Sequence, residues 1–171
     1  MHILLIADGR SPITRRWIAT VRALNHRISL VSSYPYERPT QVEDLYILPL
    51  AFSGLAARQR QSESGFAAEG SRPRLVTASK QTFLRLRYLL GPLSVGAAVP
   101  RFRRLVASLR ADLIHALRVP FEGMLASYAP PGTPLAVSIW GNDLTLHAPT
   151  SPGMTRLTRR ALARADGLLS D

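Results

Sequence analysis

The chain has 171 residues, of which 46% are hydrophobic, so it can build one domain with a real core and is not expected to be disordered. It contains no cysteine, which excludes disulfides, cysteine nucleophiles and cysteine-based metal sites, and its four histidines lack the spacing of a zinc site. The net charge of +11 is carried almost entirely by arginine and fits a solvated basic surface, an anionic membrane face or a phosphate-bearing ligand, whereas the lack of any nucleic-acid-binding motif argues against nucleic acid.

The chain begins with the pattern of a strand, a tight turn and a helix. Residues 3–7 are continuously apolar, as in a buried parallel strand, and they end at the polar turn Asp8-Gly9-Arg10-Ser11. A helical pattern that Ser11 or Thr14 can cap then runs to about Asn25. Residues 28–32 and 45–48 are predicted to be the second and third strands.

The middle of the chain is more irregular and more basic. Residues 53–78 show no periodicity, so we predict a mobile loop there. Two basic amphipathic helices are predicted over residues 81–90 and 100–110, with a break around Gly91-Pro92. Such helices either cover a sheet or contact an anionic membrane. The candidate membrane contacts are Arg85, Arg87, Arg101, Arg103 and Arg104.

The last third returns to an alternation of strands and helices. Strands are predicted over residues 112–116, 135–139 and 167–170, and helices over 121–128 and about 152–164. The alternation along the whole chain predicts an α/β fold, a Rossmann-like parallel sheet of about six or seven strands with helices on both faces.

Three polar clusters follow predicted strands, at residues 8–14, 115–118 and 140–143. Ligands of parallel sheets bind outside the carboxyl ends of the strands, so we expect the three clusters to form one site. The first cluster lacks the G-x-G-x-x-G pattern, and a dinucleotide site is therefore unsupported.

Each cluster has a functional interpretation. Backbone N–H groups and the Arg10 guanidinium could hold a phosphate or a sugar hydroxyl. Trp140 could stack on a sugar ring or a lipid, and Asp143 could accept hydroxyl hydrogen bonds or act as a base. Arg118 is a candidate contact for an anionic acceptor.

Each cluster also has a purely structural alternative. Gly9 could supply an unusual backbone angle while Asp8 caps a turn. His115 could be a strand-end histidine satisfied by backbone groups. The third cluster could be a core tryptophan beside a turn that Asn142 and Asp143 shape.

Five blocks, in this order and spacing, resemble the N-terminal domain of group 1 (family 4) glycosyltransferases: MHILLIADGRSPITRRW, NHRISLVS, RADLIHALRVPFEG, PLAVSIWGND and RRALARADGLLSD. The resemblance implies the GT-B architecture, in which a C-terminal domain holds most of the nucleotide-sugar donor site and the N-terminal domain mainly binds the acceptor. It also implies sugar transfer with retention to a glycan or lipid-linked acceptor, without a metal or other cofactor, often at the cytoplasmic membrane face.

The resemblance carries over to particular residues. Asp143 and His115 are the predicted catalytic residues, while Leu117 stands where the family often has a second histidine and Trp140 where many members have a histidine. The predicted substrate-binding residues are Asp8, Gly9, Arg10, Ser11, Thr14, Arg118, Trp140, Gly141 and Asn142.

We therefore expect residues 1–171 to be a single, truncated acceptor-side domain, inactive without its donor-binding domain. No signal peptide or transmembrane-length apolar run is visible, so the expected location is cytoplasmic, either free or peripheral at the inner face of the membrane. Two other functions stay open, a stand-alone Rossmann-like ligand-binding module and a membrane-surface adaptor without catalysis.

Overall fold

The computed structural model describes residues 1–51, 53 and 75–170, and of residues 75–85 it describes the backbone alone. Six parallel strands form one sheet in the order β3-β2-β1-β4-β5-β6. They are β1 (His2–Ala7), β2 (Arg27–Ser32), β3 (Asp44–Ile47), β4 (Leu113–Ala116), β5 (Leu135–Ile139) and β6 (Gly167–Ser170). The predicted α/β fold with a parallel sheet is confirmed. The apolar runs that predicted these strands are typical of strands that are covered on both faces.

Helices cover both faces of the sheet. Helix α1 (Pro12–Ala23) packs Ile18 and Val21 on one face, against the side chains of Ile3, Leu5 and their neighbours. The opposite face is covered by α2 (Leu75–Leu109), the short α3 (Met124–Ala126) and α4 (Pro152–Arg164). Leu4 and Ile6 pack in the core on this opposite face, whereas Ile3 and Leu5 pack against α1. Alternate residues of β1 therefore belong to two cores.

The strand order reverses between β1 and β4. Strands β2 and β3 lie beyond β1 on one side, and β5 and β6 lie beyond β4 on the other. The chain therefore leaves these two central strands in opposite directions, which opens a crevice at their carboxyl ends. This order is the one typical of Rossmann folds.

The predicted break between two helices is wrong, since α2 is one helix of 35 residues that contains Pro92 and Pro100. Gly91 precedes Pro92, and the absence of a Cβ atom removes part of the clash that disfavours helix before proline. Pro92 also has no N–H for the carbonyl of Tyr88, one helical turn earlier. The Ser151 hydroxyl donates to that carbonyl at 2.9 Å, so a tertiary contact replaces the missing helical bond.

Two other local predictions also need correction. The chain turns tightly over Val119–Gly123, where Phe121 adopts φ 63° and ψ −55°, so regular helix is confined to α3. Beyond Trp140 the predicted loop is instead helical, continuing through a π-helical turn (Asp143–His147) and a 3₁₀ turn (Ala148–Thr150).

The predicted mobile loop at residues 53–78 falls mostly outside the described residues, which omit 54–74. Its last four positions, 75–78, belong to the beginning of α2. Within the described part of the chain, no helix combines the length and apolarity needed to cross a membrane.

Candidate functional site

Four loops and one helix meet at the carboxyl edge of the sheet, around the point where the strand order reverses. The loops follow β1, β2, β4 and β5, and the helix is α2. Ion pairs, hydrogen bonds and arginine–aromatic contacts link their side chains. The structure thus brings the second and third clusters into contact through Arg118 and Asp143. The first cluster is linked to this edge through Tyr34 of the β2 loop and Arg87 of α2, which the sequence did not predict as site residues.

The turn after β1 is held together by Asp8. The backbone N–H of Arg10 donates to Asp8 Oδ1 at 3.0 Å, and the Arg10 guanidinium pairs with Asp8 Oδ2 at 3.0 Å. The hydrogen bond that the Arg10 guanidinium donates to Asp8 is the largest influence on Arg10 and raises the pKa of the guanidinium. The Ser11 hydroxyl caps α1 by accepting from Ile13 N, whereas Thr14 is buried inside the helix.

Position 9 requires a glycine because a side chain would not fit there, and not because of the backbone angle. Its φ lies outside the left-handed region, so the alternative of an unusual conformation is wrong for this residue. A Cβ atom at this position would lie 2.7 Å from Cδ1 of Tyr36 and 3.1 Å from the Ser32 hydroxyl oxygen. That same hydroxyl accepts a hydrogen bond from Gly9 N at 3.1 Å, and so β1 and β2 stay close where they end.

Asp143 connects the loops after β4 and β5. Its side chain is fully buried, and Oδ1 accepts from Arg118 Nη2 at 2.8 Å. Oδ2 accepts from the backbone N–H groups of Val119 and Trp140, each at 3.2 Å. Both oxygens are thus engaged, which favours a positioning role, and the catalytic role of Asp143 stays a prediction.

Arg118 and Trp140 lie on the partly exposed side of the contact between the loops after β4 and β5. The guanidinium carbon of Arg118 lies 5.0 Å from the Trp140 ring centroid, within the range of a cation–π contact. Arg118 is one-third exposed at 35% and can still meet a ligand. The adjacent Gly141 and Asn142 are exposed. These four residues therefore present a charged and aromatic surface to solvent.

His115 is buried beneath the sheet edge on the side of α1. Its Nε2 lies 3.0 Å from the Ser138 hydroxyl, and its ring makes an edge contact with Trp17 at a centroid distance of 4.7 Å. Its partner at Nε2 is therefore a side-chain hydroxyl and not the backbone groups expected. Burial lowers the pKa of His115 to about 4, so the ring is neutral at neutral pH. Its catalytic role stays a prediction.

Helix α2 contributes Arg87 to the site. The guanidinium carbon of Arg87 lies 5.2 Å from the Phe121 ring centroid and 5.8 Å from that of Tyr34. Arg10 contacts the same Tyr34 ring at 3.6 Å. Sequence reasoning missed this arrangement, because a helix broken at Gly91 gave no reason to place Arg87 beside the strand ends.

A buried carboxyl group lies next to these arginines. Glu122 Oε1 accepts a hydrogen bond from the Ser33 hydroxyl at 2.6 Å. Burial raises the pKa of Glu122, while the Ser33 hydrogen bond and the charges of Arg118 and Arg87 oppose that rise. Its position shortly after β4 is the sequence signal that could have indicated this residue.

An aromatic pair closes the site on the side of α2. The Tyr88 hydroxyl lies 2.7 Å from His147 Nδ1, and the two rings stack at 5.3 Å. Tyr88 also stacks on Phe121 at 6.2 Å. Burial lowers the pKa of His147, and the charge of Arg118 lowers it further. No local pattern indicates that His147 approaches α2, because the contact depends on tertiary packing.

A cavity of about 350 Å³ opens beyond Trp140, at the carboxyl ends of β5 and β6. It is lined by Ile13, Ser138, Ile139, Trp140, Leu169 and Ser170. Among the described residues, no group of three or more histidine, aspartate or glutamate side chains could hold a metal ion.

The fold is a doubly wound α/β domain, and a charged and aromatic cluster lies where the strand order reverses, which is where such folds bind ligands. No protein-family model matches the sequence, and no curated protein matches it at a significant level. Among solved structures, the chain is similar to the crystal structure of MurG from Acinetobacter baumannii, with 11% identity and a TM-score of 0.46. The match covers 99% of this chain and 41% of that one, so the chain spans less than half the length of MurG.

Proposed function

We propose that this chain is the acceptor-binding domain of a retaining GT-B glycosyltransferase, which transfers a sugar from a nucleotide-sugar donor to a glycan or lipid-linked acceptor. The observation that carries the proposal is the convergence of the blocks that resemble such enzymes. The turn at Asp8–Ser11, Arg118 and Trp140 come from three separate blocks, yet they meet at one edge of the sheet. That edge is where α/β folds bind ligands.

In this proposal each exposed group has a task. Trp140 offers an aromatic face to a sugar ring, and Arg118 and Arg10 offer positive charge to an anionic acceptor. Asp143 fixes Arg118 and Trp140 relative to each other through the contacts of its two carboxylate oxygens. The donor would be held mainly by a second domain, and positive groups would stabilise the leaving diphosphate and an oxocarbenium-like sugar.

A second candidate function, contact with an anionic membrane, is favoured by the outer surface of α2. Leu86, Leu89 and Leu93 are 47%, 62% and 70% exposed and recur at the spacing of one helix face. Exposed arginines follow on the same helix, namely Arg101, Arg103 and Arg104. The side chain of Arg85, the remaining candidate on α2, is outside the described residues. Such a surface would suit a lipid-linked acceptor and a peripheral, cytoplasmic location.

The proposed transfer can be tested with the full natural protein and a panel of nucleotide sugars. We expect sugar turnover to fall at least about tenfold in Trp140→Ala and in Arg118→Gln, as is usual when a group that contacts the transition state is removed. The control Arg159→Gln changes an exposed arginine on α4 and should stay within about twofold of the wild type. Absence of turnover, together with saturable binding of free sugars, would instead identify a ligand-binding module.

A further inference from the structure

The strongest feature that the proposed acceptor site leaves unexplained is the Nε atom of Arg87. This N–H group is buried and has no hydrogen-bond partner among the residues that the structure describes. A buried donor without a partner costs free energy, and native structures contain few of them. The side chain as a whole is only partly buried, so the rest of its guanidinium remains within reach of a ligand.

A second cation, Arg10, lies close to Arg87. Arg87 and Arg10 approach the same Tyr34 ring, with guanidinium carbons at 5.8 Å and 3.6 Å from its centroid. Arg10 pairs with Asp8, whereas no ion pair between described residues includes Arg87. Glu122, the nearby buried carboxyl group, accepts from the Ser33 hydroxyl.

Two aromatic rings lie near the guanidinium group of Arg87. They are Tyr34, which follows β2, and Phe121, which follows β4. A planar guanidinium presents its N–H groups in a fork geometry that matches two oxygens of a phosphate. Arg10 is 37% exposed and can add a second cation to the same ligand.

We propose that Arg87, assisted by Arg10, binds a phosphate group of the ligand at the carboxyl ends of β2 and β4. Arg87 then belongs to the ligand site and not to the outer, membrane-facing surface of α2. The assignment of this phosphate to the acceptor rests on the proposed glycosyltransferase function, whereas the phosphate site itself does not.

Titration of the ¹⁵N-labelled chain with inorganic phosphate tests the site directly. The Nε–H resonance of Arg87 is identified by its loss in Arg87→Lys. We expect this resonance to shift on saturable phosphate binding, and the apparent Kd to rise at least about tenfold in Arg87→Gln, since a charge-assisted bidentate contact is lost. Arg87→Lys keeps the charge without the fork and should show an intermediate rise, which also decides the matter if Arg87→Gln does not fold.

The matched control is Arg156→Gln, which removes an exposed arginine from α4. It should change the apparent Kd by no more than about twofold, because it alters only the net charge. Equal weakening in both glutamine variants, an unchanged Kd in Arg87→Gln, or no saturable binding by the wild type would each overturn the phosphate site.

Competition identifies the source of the phosphate. Displacement of inorganic phosphate by glycerol phosphate and not by a nucleoside diphosphate supports the acceptor, and the reverse result overturns that assignment. Phosphate binding that depends on Arg87 in a protein without sugar turnover would refute the proposed transferase and leave the site intact. Sugar turnover that is indifferent to Arg87→Gln at every acceptor concentration would refute the acceptor assignment alone.

Discussion

Asp143 and His115 are both predicted as catalytic residues, but their surroundings differ. Asp143 has a guanidinium and two backbone N–H groups as partners, and this arrangement stabilises a buried carboxylate. Among the described residues, His115 has a hydroxyl at Nε2 and the edge of Trp17 as neighbours and no charge partner, so burial keeps it neutral. The sequence showed both residues at strand ends, but it could not show which one would find a counter-ion.

The lowered pKa of His115 predicts a pH dependence of folding. The pKa of His115 is near 6.5 in the unfolded chain and about 4 in the native state. At a pH between these two values, the residue is protonated in the unfolded chain and neutral in the native state. The free energy of unfolding should therefore fall as the pH drops from 7 to 4, by up to about 3 kcal/mol from this residue. Urea unfolding at several pH values measures the slope.

The variant His115→Gln serves as the comparison, since glutamine can keep a hydrogen bond with Ser138. Contributions from carboxylates and from His147 are common to both proteins and cancel in the difference. The wild type should lose more stability than the variant between pH 7 and 4, and parallel curves would show that His115 is not held neutral.

At the level of elements, α2 shows how a helix can pass through a proline. Ser151 caps α4 by accepting from Met154 N at 3.2 Å, and the same hydroxyl donates to the Tyr88 carbonyl that Pro92 leaves free. Gly91 brings α2 against the turn after β4, because its missing side chain leaves room for the Phe121 ring. The two contacts connect α2, α4 and the site.

Replacing Gly91 or Gly96 of α2 by alanine should have opposite effects on the stability of the protein. In Gly91→Ala the new Cβ would lie 2.5 Å from Cε1 of Phe121, whose buried ring stacks on Tyr88 and has limited room to move. We expect a loss of about 1–3 kcal/mol of stability, which outweighs the gain in helix propensity. In Gly96→Ala no atom of the described residues lies within 4 Å of the new Cβ, and stability should rise by up to about 1 kcal/mol.

Chemical denaturation of the two variants beside the wild type gives both values, and Gly96→Ala is the internal control for helix propensity. A stabilising Gly91→Ala would mean that α2 does not pack against Phe121 as closely as described. The same experiment reports on the site, because Phe121 also contacts Arg87.

The sequence predicted the strands better than the site for a physical reason. A buried parallel strand shows its whole pattern locally, as an apolar run ended by a turn, and all six predicted strands are present. The contact that replaces the helical bond lost at Pro92 comes from Ser151, which is distant in the sequence. A local pattern therefore could not show that α2 continues. Arg87, Tyr88 and Tyr34 were missed as site residues for the same reason.

Across the whole molecule, the positive charge and the exposed apolar residues are unevenly arranged on α2. The helix has 35 residues and would be about 50 Å long, well beyond the length of the strands it covers. Among the described side chains of α2, the exposed Leu86, Leu89 and Leu93 lie nearer in the helix to Arg87 and the candidate site, and the exposed arginines lie nearer to its end, which leads into β4. A surface of this kind could rest on an anionic bilayer while the site faces a lipid-linked ligand.

Co-sedimentation with lipid vesicles tests that orientation. The protein should bind anionic vesicles in preference to neutral ones at low salt, and added salt should weaken the binding, since each arginine near such a surface contributes about 1 kcal/mol. Replacing three arginines of α2 by glutamine should reduce binding at least about tenfold. These residues are Arg101, Arg103 and Arg104.

A control of equal charge distinguishes surface contact from net charge. The same number of exposed arginines can be replaced on α1, which covers the other face of the sheet, at Arg15, Arg16 and Arg22. Because both variants lower the net charge by the same amount, a purely long-range attraction would weaken equally in the two. Only contact through α2 predicts that its own variant loses binding while the α1 variant keeps most of it. Equal binding of the wild type to neutral and anionic vesicles would contradict a membrane role for this helix altogether.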